Sequence, residues 1–492
     1  MRQKRVEVVG AEQLREGRAD AGRPCRPRRL PRAFQVSEGG GGKTLMDGLL
    51  KDRLISEGER IAASAQADSI EFVASRESSS TMRFSSSRFH QGISVTDASF
   101  HIRVLIGRKI GVASTNSIER SALDRCLDEA LGIARATREE PFLLKPPGPC
   151  RYARVNSFFE STARASYDEK ASLVASGFRE ALVSGVSLSG ALATVVGEAV
   201  IVNSRGLKAY HPYTFAHLSS VASSGDASGF ASAVSNDISR IDIKGLMRAS
   251  AETCLRSSFP KETPPGVYRV LLEPSAVSEL VHWLSYTGFG AKSFHDKTGF
   301  LSERIGEAVT GEKVTIYDDG LDAKGMAIPF DFEGSPKKRL PLIERGVASG
   351  IAYDSLTASI EGRESTGHAS FPGDNEGPFP DHLFMEGGDV AAIDMPGLLG
   401  DGILVKSFHY VNGLLNPRET LMTGMTRHGT FLVRDGVVKH ALRPMRFTEK
   451  VLEAFGRIEA VSRETAVYPN GAFPLSSVTV PYILIDGFSF TS

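Results

Sequence analysis

Long apolar runs, clustered cysteines and an excess of charge of either sign are all missing from this chain. No stretch approaches the roughly 18 consecutive apolar residues of a membrane-spanning helix, and the N-terminus lacks the apolar core of about 7–15 residues found in a secretory signal. The chain therefore reads as soluble and not exported. The four cysteines, Cys25, Cys126, Cys150 and Cys254, are widely spaced and form no C-x-x-C or Cys/His cluster. That excludes a disulfide scaffold and a structural zinc site, and fits the reducing cytoplasm. Lys+Arg and Asp+Glu both number 58, which gives no electrostatic reason to expect direct binding of nucleic acid or an anionic membrane. There is no G-x-S-x-G elbow, so a serine-hydrolase reading finds no motif.

What is present is an ordinary globular composition, 41% hydrophobic and 24% charged over 492 residues, enough for two or three domains. Residues 1–45 stand apart, with a basic cluster around Arg23, Pro24, Arg28 and Pro31 and little apolar periodicity; they read as a disordered leader. The run Gly39–Thr44 resembles a phosphate loop only superficially, because the leading glycine would fall at Ser37 and no strand precedes it. Since glycine codons begin GG, this run also reads as a translated ribosome-binding site, with the native start at Met46.

Periodicity predicts a helix from 45 to 67, strands at 69–75 and 81–85, and a half-buried strand in which Phe100, Ile102, Val104 and Ile106 face one way and His101 and Arg103 the other. Helices are expected near 118–136, 167–183 and 241–257, and strands at 189–203, 207–221 and 226–235, with Asn203–Gly206 as a turn. The organisation expected is residues 46–258 as an N-terminal α/β domain, 259–266 as a linker, and 267–492 as a β-rich C-terminal domain. Asp435-Gly436 marks a hairpin, and helices are expected near 275–287 and 448–461. The fold class is α+β: a largely antiparallel sheet with flanking helices, then a mostly β barrel or sandwich.

Candidate chemistry is sparse. Cys126 lies at the edge of an apolar stripe and reads as core. His211 and His217 share a strand face and read as surface residues, because two histidines alone define no metal geometry. Glu279 and His282 project together from a helix whose stripe is Val277, Leu280, Val281 and Leu284. With His295 and Asp296 they could form a metal site, although a solvated helix face is the plainer reading.

Several segments together resemble the TldD/PmbA family: Ile102–Asn116, Val202–Leu207, Asp331–Gly334, Leu342–Gly346, Ser365–His368, Asn416–Arg418 and Thr423–Leu432. The resemblance covers nearly everything beyond the leader. It implies an α/β domain followed by a β-rich one, and dimers enclosing a cavity in which extended peptides are cut. It also places Thr366, Gly367 and His368 at that cavity, where His368 either touches peptide or bonds to backbone. The family's zinc-bearing branch carries H-E-x-x-x-H and a cysteine near the C-terminus, two imidazoles and a thiolate for the metal and a glutamate as general base. Here the motif position reads His282-Trp283 and ends at Thr287, and no cysteine follows Cys254. The resemblance is thus to the PmbA (TldE) branch. It implies a chain that binds no zinc itself, recognises unstructured peptide, and pairs with a zinc-bearing TldD-type subunit or with itself. The alternative is a self-sufficient metallopeptidase with other ligands.

Overall fold

The computed structural model describes residues 50–492 apart from 143, 375, 472 and 473; the expectations for the leader, the glycine run and Met46 fall outside the described residues. The chain begins with α1 (Lys51–Ala62), which buries Leu54 and Ile61. Three strands follow, β1 (Ser69–Ser85), β2 (Arg88–Ile106) and β3 (Lys109–Thr115), and then α2 (Arg120–Ala136). Two further helices, α3 (Glu160–Ala163) and α4 (Tyr167–Ser184), precede β4 (Ser187–Asn203), β5 (Lys208–Ser224), β6 (Ala227–Ser235) and α5 (Ile243–Arg256). The six strands form one antiparallel sheet in the order β3-β2-β1-β4-β5-β6.

Strand alternation divides this sheet into two unlike faces. On one, Phe72, Phe100 and Ile102 pack with Leu123 and Leu127 of α2, while Leu188 and Leu218 pack with Val174 and Met247 of α4 and α5. Cys126 is buried there, and burial pushes its thiol up to about 11. The other face is closed by the second half of the chain, where Val73, Ile201, Leu207 and Tyr213 meet Ile328, Phe330 and Leu475. His101 and Arg103 do point away from the apolar face, but into this second contact.

The expected break between two short strands at 69–85 does not occur. The polar run Arg76–Ser80 stays in the ladder because its side chains find partners: Ser78 Oγ lies 3.0 Å from Thr96 Oγ1, and Ser80 Oγ accepts from Lys170 Nζ at 2.6 Å.

The second half starts with β7 (Gly266–Leu272), α6 (Pro274–Leu284), a π turn at Ser285–Phe289 and α7 (Ala291–His295). Short strands β8 (Ile316–Asp318), β9 (Leu340–Glu344) and β10 (Val347–Ala348), helix α8 (Ser355–Ile360), β11 (His382–Met385) and helix α9 (Met395–Leu399) lead to β12 (Gly402–Asn416) and β13 (Leu421–Arg434). The last elements are β14 (Val437–Ala441), β15 (Arg446–Lys450), α10 (Val451–Phe455), β16 (Ile458–Pro469) and β17 (Ser477–Phe490). The pairings β7-β12-β13-β15-β17 return to β7, closing a ring around a core that includes Val270, Ile403, Phe447 and Phe488, with Leu280 and Leu284 of α6 packed into it. The fold is therefore α+β with a barrel-like second half.

The hairpin at Asp435-Gly436 forms, with both residues at positive φ (52° and 70°), as a two-residue turn requires. The helix expected at 448–461 shrinks to α10. Val451, Leu452 and Phe455 do share a buried face, but the flanking residues are drawn into β15 and β16 by ladder bonding to β13 and β17.

Candidate functional site

Helix α6 enters the barrel half with Pro274 at its first turn, where a missing N–H costs nothing, and buries Val277, Leu280, Val281 and Leu284. At Ser285 it widens into the π turn. Positions 282 and 287 are five apart, so on an α-helix they would be rotated about 140° from each other. A π turn bonds i to i+5 and carries such positions onto one face. His282 lies in α6 and Thr287 inside the turn that follows, so a pair acting across this junction needs both side chains to face one point.

The side chains there do not. The His282 ring faces Asn470, its Nδ1–H donating to the Asn470 Oδ1. Trp283 packs edge-on against Tyr286, with centroids 5.6 Å apart, and lies so close to Gly413 that a Cβ there would stand 2.8 Å from the indole. Thr287 is buried and turns its hydroxyl back onto the Trp283 carbonyl at 2.7 Å. Asn470 comes from near the C-terminus, where the resemblance calls for a cysteine ligand. One imidazole, an indole, a hydroxyl and an amide do not fit zinc: among the described residues no thiolate joins His282 here, and neither Trp283 nor Thr287 can act as base or ligand.

The alternative ligand set is not assembled either. Glu279 is exposed. His295 is held 2.7 Å from Glu361 through Nε2, and Asp296 pairs with Lys292 at 3.0 Å.

Beneath Asn470 lies a buried ionic cluster that sequence spacing did not reveal. Asn470 Nδ2 donates to the Asp381 carbonyl at 3.4 Å. Asp318, Asp381 and His382 are the one group of three potential metal ligands within mutual reach among the described residues. The ammonium of Lys337 already fills it, 2.8 Å from Asp381 Oδ1 and 3.1 Å from His382 Nδ1. Burial would raise both carboxyls, but the facing cations win. Lys337 and His368 bring Asp318 down to about 2, and His382 and Lys337 hold Asp381 far below the carboxylate range.

His368 belongs to this interior rather than to an open cavity. It is fully buried, Nε2–H donating to Asp318 Oδ1 at 3.0 Å and Nδ1 lying 2.9 Å from Thr366 Oγ1. Its ring bonds to side chains rather than to backbone. Gly367 is buried at φ 81°, and Thr366 also bonds the Tyr353 carbonyl at 3.1 Å.

The surface reading of His211 is likewise corrected. It is buried against Phe330, and burial lowers its pKa to about 4. His217 is half-buried and bonds Ser232. Both lie on the sheet face that the second half covers, a circumstance no single strand can report.

Comparison with known proteins places these features in a lineage. Residues 265–492 match the model of the PmbA/TldA metallopeptidase C-terminal domain, and residues 70–134 match PmbA/TldA metallopeptidase domain 1. An uncharacterized protein of Methanocaldococcus jannaschii is 25% identical over 273 residues, 55% of this chain; the match spans 63% of that protein, less than two thirds of its length. A metalloprotease TldD homolog of Haemophilus influenzae is 24% identical over 64% of this chain and 70% of its own. A metalloprotease PmbA of Escherichia coli O157:H7 is 24% identical over 80% of this chain and 86% of its own. Among solved structures, TldE from Thermococcus kodakarensis superimposes with a TM-score of 0.78 at 21% identity, covering 90% of this chain and 99% of that one. A putative modulator of a DNA gyrase from Thermotoga maritima gives 0.78 at 19% identity, covering 89% and 100%. At these identities the superpositions speak for the fold.

Proposed function

The chain belongs to the PmbA/TldD metallopeptidase family, and on that premise we propose that it is a non-catalytic subunit. It binds extended peptide and pairs with a TldD-type partner that supplies zinc and the general base. The observation that carries this reading is the motif position itself. Trp283 and Thr287 replace base and ligand, and Asn470 faces His282 where a third ligand would be needed. Water activation by a metal requires ligands that hold the ion and leave one position open, and one imidazole cannot do so.

The aromatic surface beside the motif supports a binding role. Trp283 and Tyr286 continue to Phe379, with Tyr286 and Phe379 centroids 6.4 Å apart, giving apolar side chains next to polar backbone as extended peptides need. Among the described residues no helix is long and apolar enough to cross a membrane, and the reading places the chain in the cytoplasm.

The test is metal analysis and cleavage of an unstructured peptide by the purified chain, alone and co-expressed with an H-E-x-x-x-H homologue. Zinc and chelator-sensitive cleavage confined to the mixture support the proposal. Stoichiometric zinc with cleavage by this chain alone would overturn it.

A further inference from the structure

On the sheet face turned toward the second half, Ser99 and His101 stand two residues apart on β2 and so project together. Ser99 Oγ lies 2.6 Å from His101 Nε2. The other ring nitrogen, Nδ1, lies 3.0 Å from the Pro372 carbonyl oxygen. A carbonyl can only accept, so Nδ1 carries the proton, and in the neutral ring Nε2 presents a lone pair to the serine hydroxyl. Burial holds the His101 pKa below its ordinary value, which keeps that lone pair available at neutral pH.

Both residues are half-buried, neither sealed in the core nor fully solvated. Phe371 packs on the imidazole at a centroid distance of 5.5 Å and fixes its plane. A nucleophile, a base within hydrogen-bond reach and a third group that sets the base's tautomer are the elements by which activated serines are recognised across unrelated folds. In the other two serine–histidine contacts, Ser232 with His217 and Ser228 with His428, no acceptor fixes the far ring nitrogen among the described residues.

We propose that Ser99, His101 and the Pro372 carbonyl form a metal-independent acyl-transfer site that hydrolyses small carboxylic esters. Ser99 Oγ bonds to the ester carbonyl carbon as its proton passes to His101 Nε2. The adduct collapses by breaking the bond to the alkoxy oxygen, which leaves as the alcohol with that proton. Water then attacks the acyl-serine, giving its proton to the same nitrogen; the carboxylic acid departs and Ser99 recovers its hydrogen. One step along the same face stand Asp97, exposed, and Glu77, half-buried and paired with it in register. On the other side of His101, Arg103 is occupied by Glu71 and Glu333, which leaves the exposed Asp97 carboxylate to disfavour anionic esters.

The test uses the full chain in the presence of a chelator, with p-nitrophenyl acetate as substrate and a fluorophosphonate probe whose attachment is mapped by mass spectrometry. The probe is expected on Ser99. Ser99→Ala abolishes labelling, and His101→Gln slows labelling and turnover by about 10²–10⁴-fold, the usual worth of a general base. The rate should follow deprotonation of one group that titrates below an ordinary histidine. Ser99→Cys supplies a check independent of folding defects elsewhere: its thiol should be alkylated by iodoacetamide faster than Cys150 in the same sample. A probe that misses Ser99, or labelling indifferent to His101→Gln, would overturn the proposal and leave the pair as a tether for the Pro372 loop.

Discussion

The Lys337 ammonium lies 2.8 Å from Asp381 Oδ1, deep beneath the helix that carries His282, and does there what a bound cation does elsewhere. Together with His382 it keeps the half-buried Asp381 carboxylate ionised. Among the described residues, the cluster that looks most like a metal site therefore already holds a cation of its own.

Replacing that lysine leaves Asp381 with His382 and Asp318 with His368 as their remaining partners. Lys337→Met should destabilise the fold by about 1–3 kcal/mol, the cost of removing one partner from a buried hydrogen-bonded group. Urea denaturation followed by circular dichroism reads it directly, and an unchanged midpoint would mean that the cation is dispensable.

Two buried acids should give pH dependences of opposite sign. Asp318 has a folded pKa of about 2 against an ordinary 3.8, so its contribution to stability is complete above the ordinary value and is lost as pH falls through 3.8 toward 2. Glu71 is raised from 4.5 to about 7, chiefly by burial and despite Arg103, so its folded form holds a proton longer and stability declines as pH rises from 4.5 to 7. Denaturation midpoints measured from pH 2 to 8 should show both slopes. Burial raises Asp331 to about 7 as well, so it adds to the same decline. Glu71→Gln should reduce the upper slope without abolishing it and leave the acid window unchanged; an unreduced slope would assign it to Asp331.

The motif position straddles the end of α6, with His282 in the helix and Thr287 in the π turn. Installing the missing chemistry, Trp283→Glu, Thr287→His and Asn470→Cys together, should allow this chain to take up about one equivalent of zinc by mass spectrometry of the native protein, since His282 is already in place. Thr287→His alone should not, for two imidazoles without the thiolate hold zinc weakly. If the triple variant folds and stays metal-free, Asn470 does not occupy the third-ligand position.

Helix α2 rides directly on the backbone of β3. A Cβ at Gly111 would stand 2.1 Å from the Ala130 carbonyl oxygen and 2.4 Å from the Ala134 nitrogen, both backbone atoms with little freedom to move. Gly111→Val should cost about 1–3 kcal/mol through overpacking, whereas Gly107→Asn, at a turn with open space and φ 60°, should cost far less. Thermal unfolding of the two variants side by side checks the difference.

Much of the fold was legible locally. The helices near 120–136, 167–184 and 243–256 follow from 3.6-residue stripes, and the Asp435-Gly436 hairpin follows from the two positive φ angles that its turn demands. Errors arose where distant partners overrode local pattern. Arg76–Ser80, between the two short strands expected, stays in the ladder because Lys170 and Thr96 supply hydrogen bonds, and the helix expected at 448–461 is cut to its middle because β13 and β17 claim both ends. Of the candidate residues, the motif position was visible by its substitutions. The burial of His211 and His368 was not legible, because nothing in a strand or a loop tells whether a second sheet or a carboxylate will cover it.

By itself the sequence determined the element types, the family resemblance and the loss of the zinc motif, because these rest on residue identity and short-range periodicity. Only the tertiary structure decided that Lys337 fills the one potential ligand cluster among the described residues, that Asn470 meets His282, and that Ser99 is paired with an oriented imidazole. These relationships join residues up to 188 positions apart, or hang on a single carbonyl 271 residues away, and side-chain chemistry at such separations is set by packing geometry that no local pattern encodes.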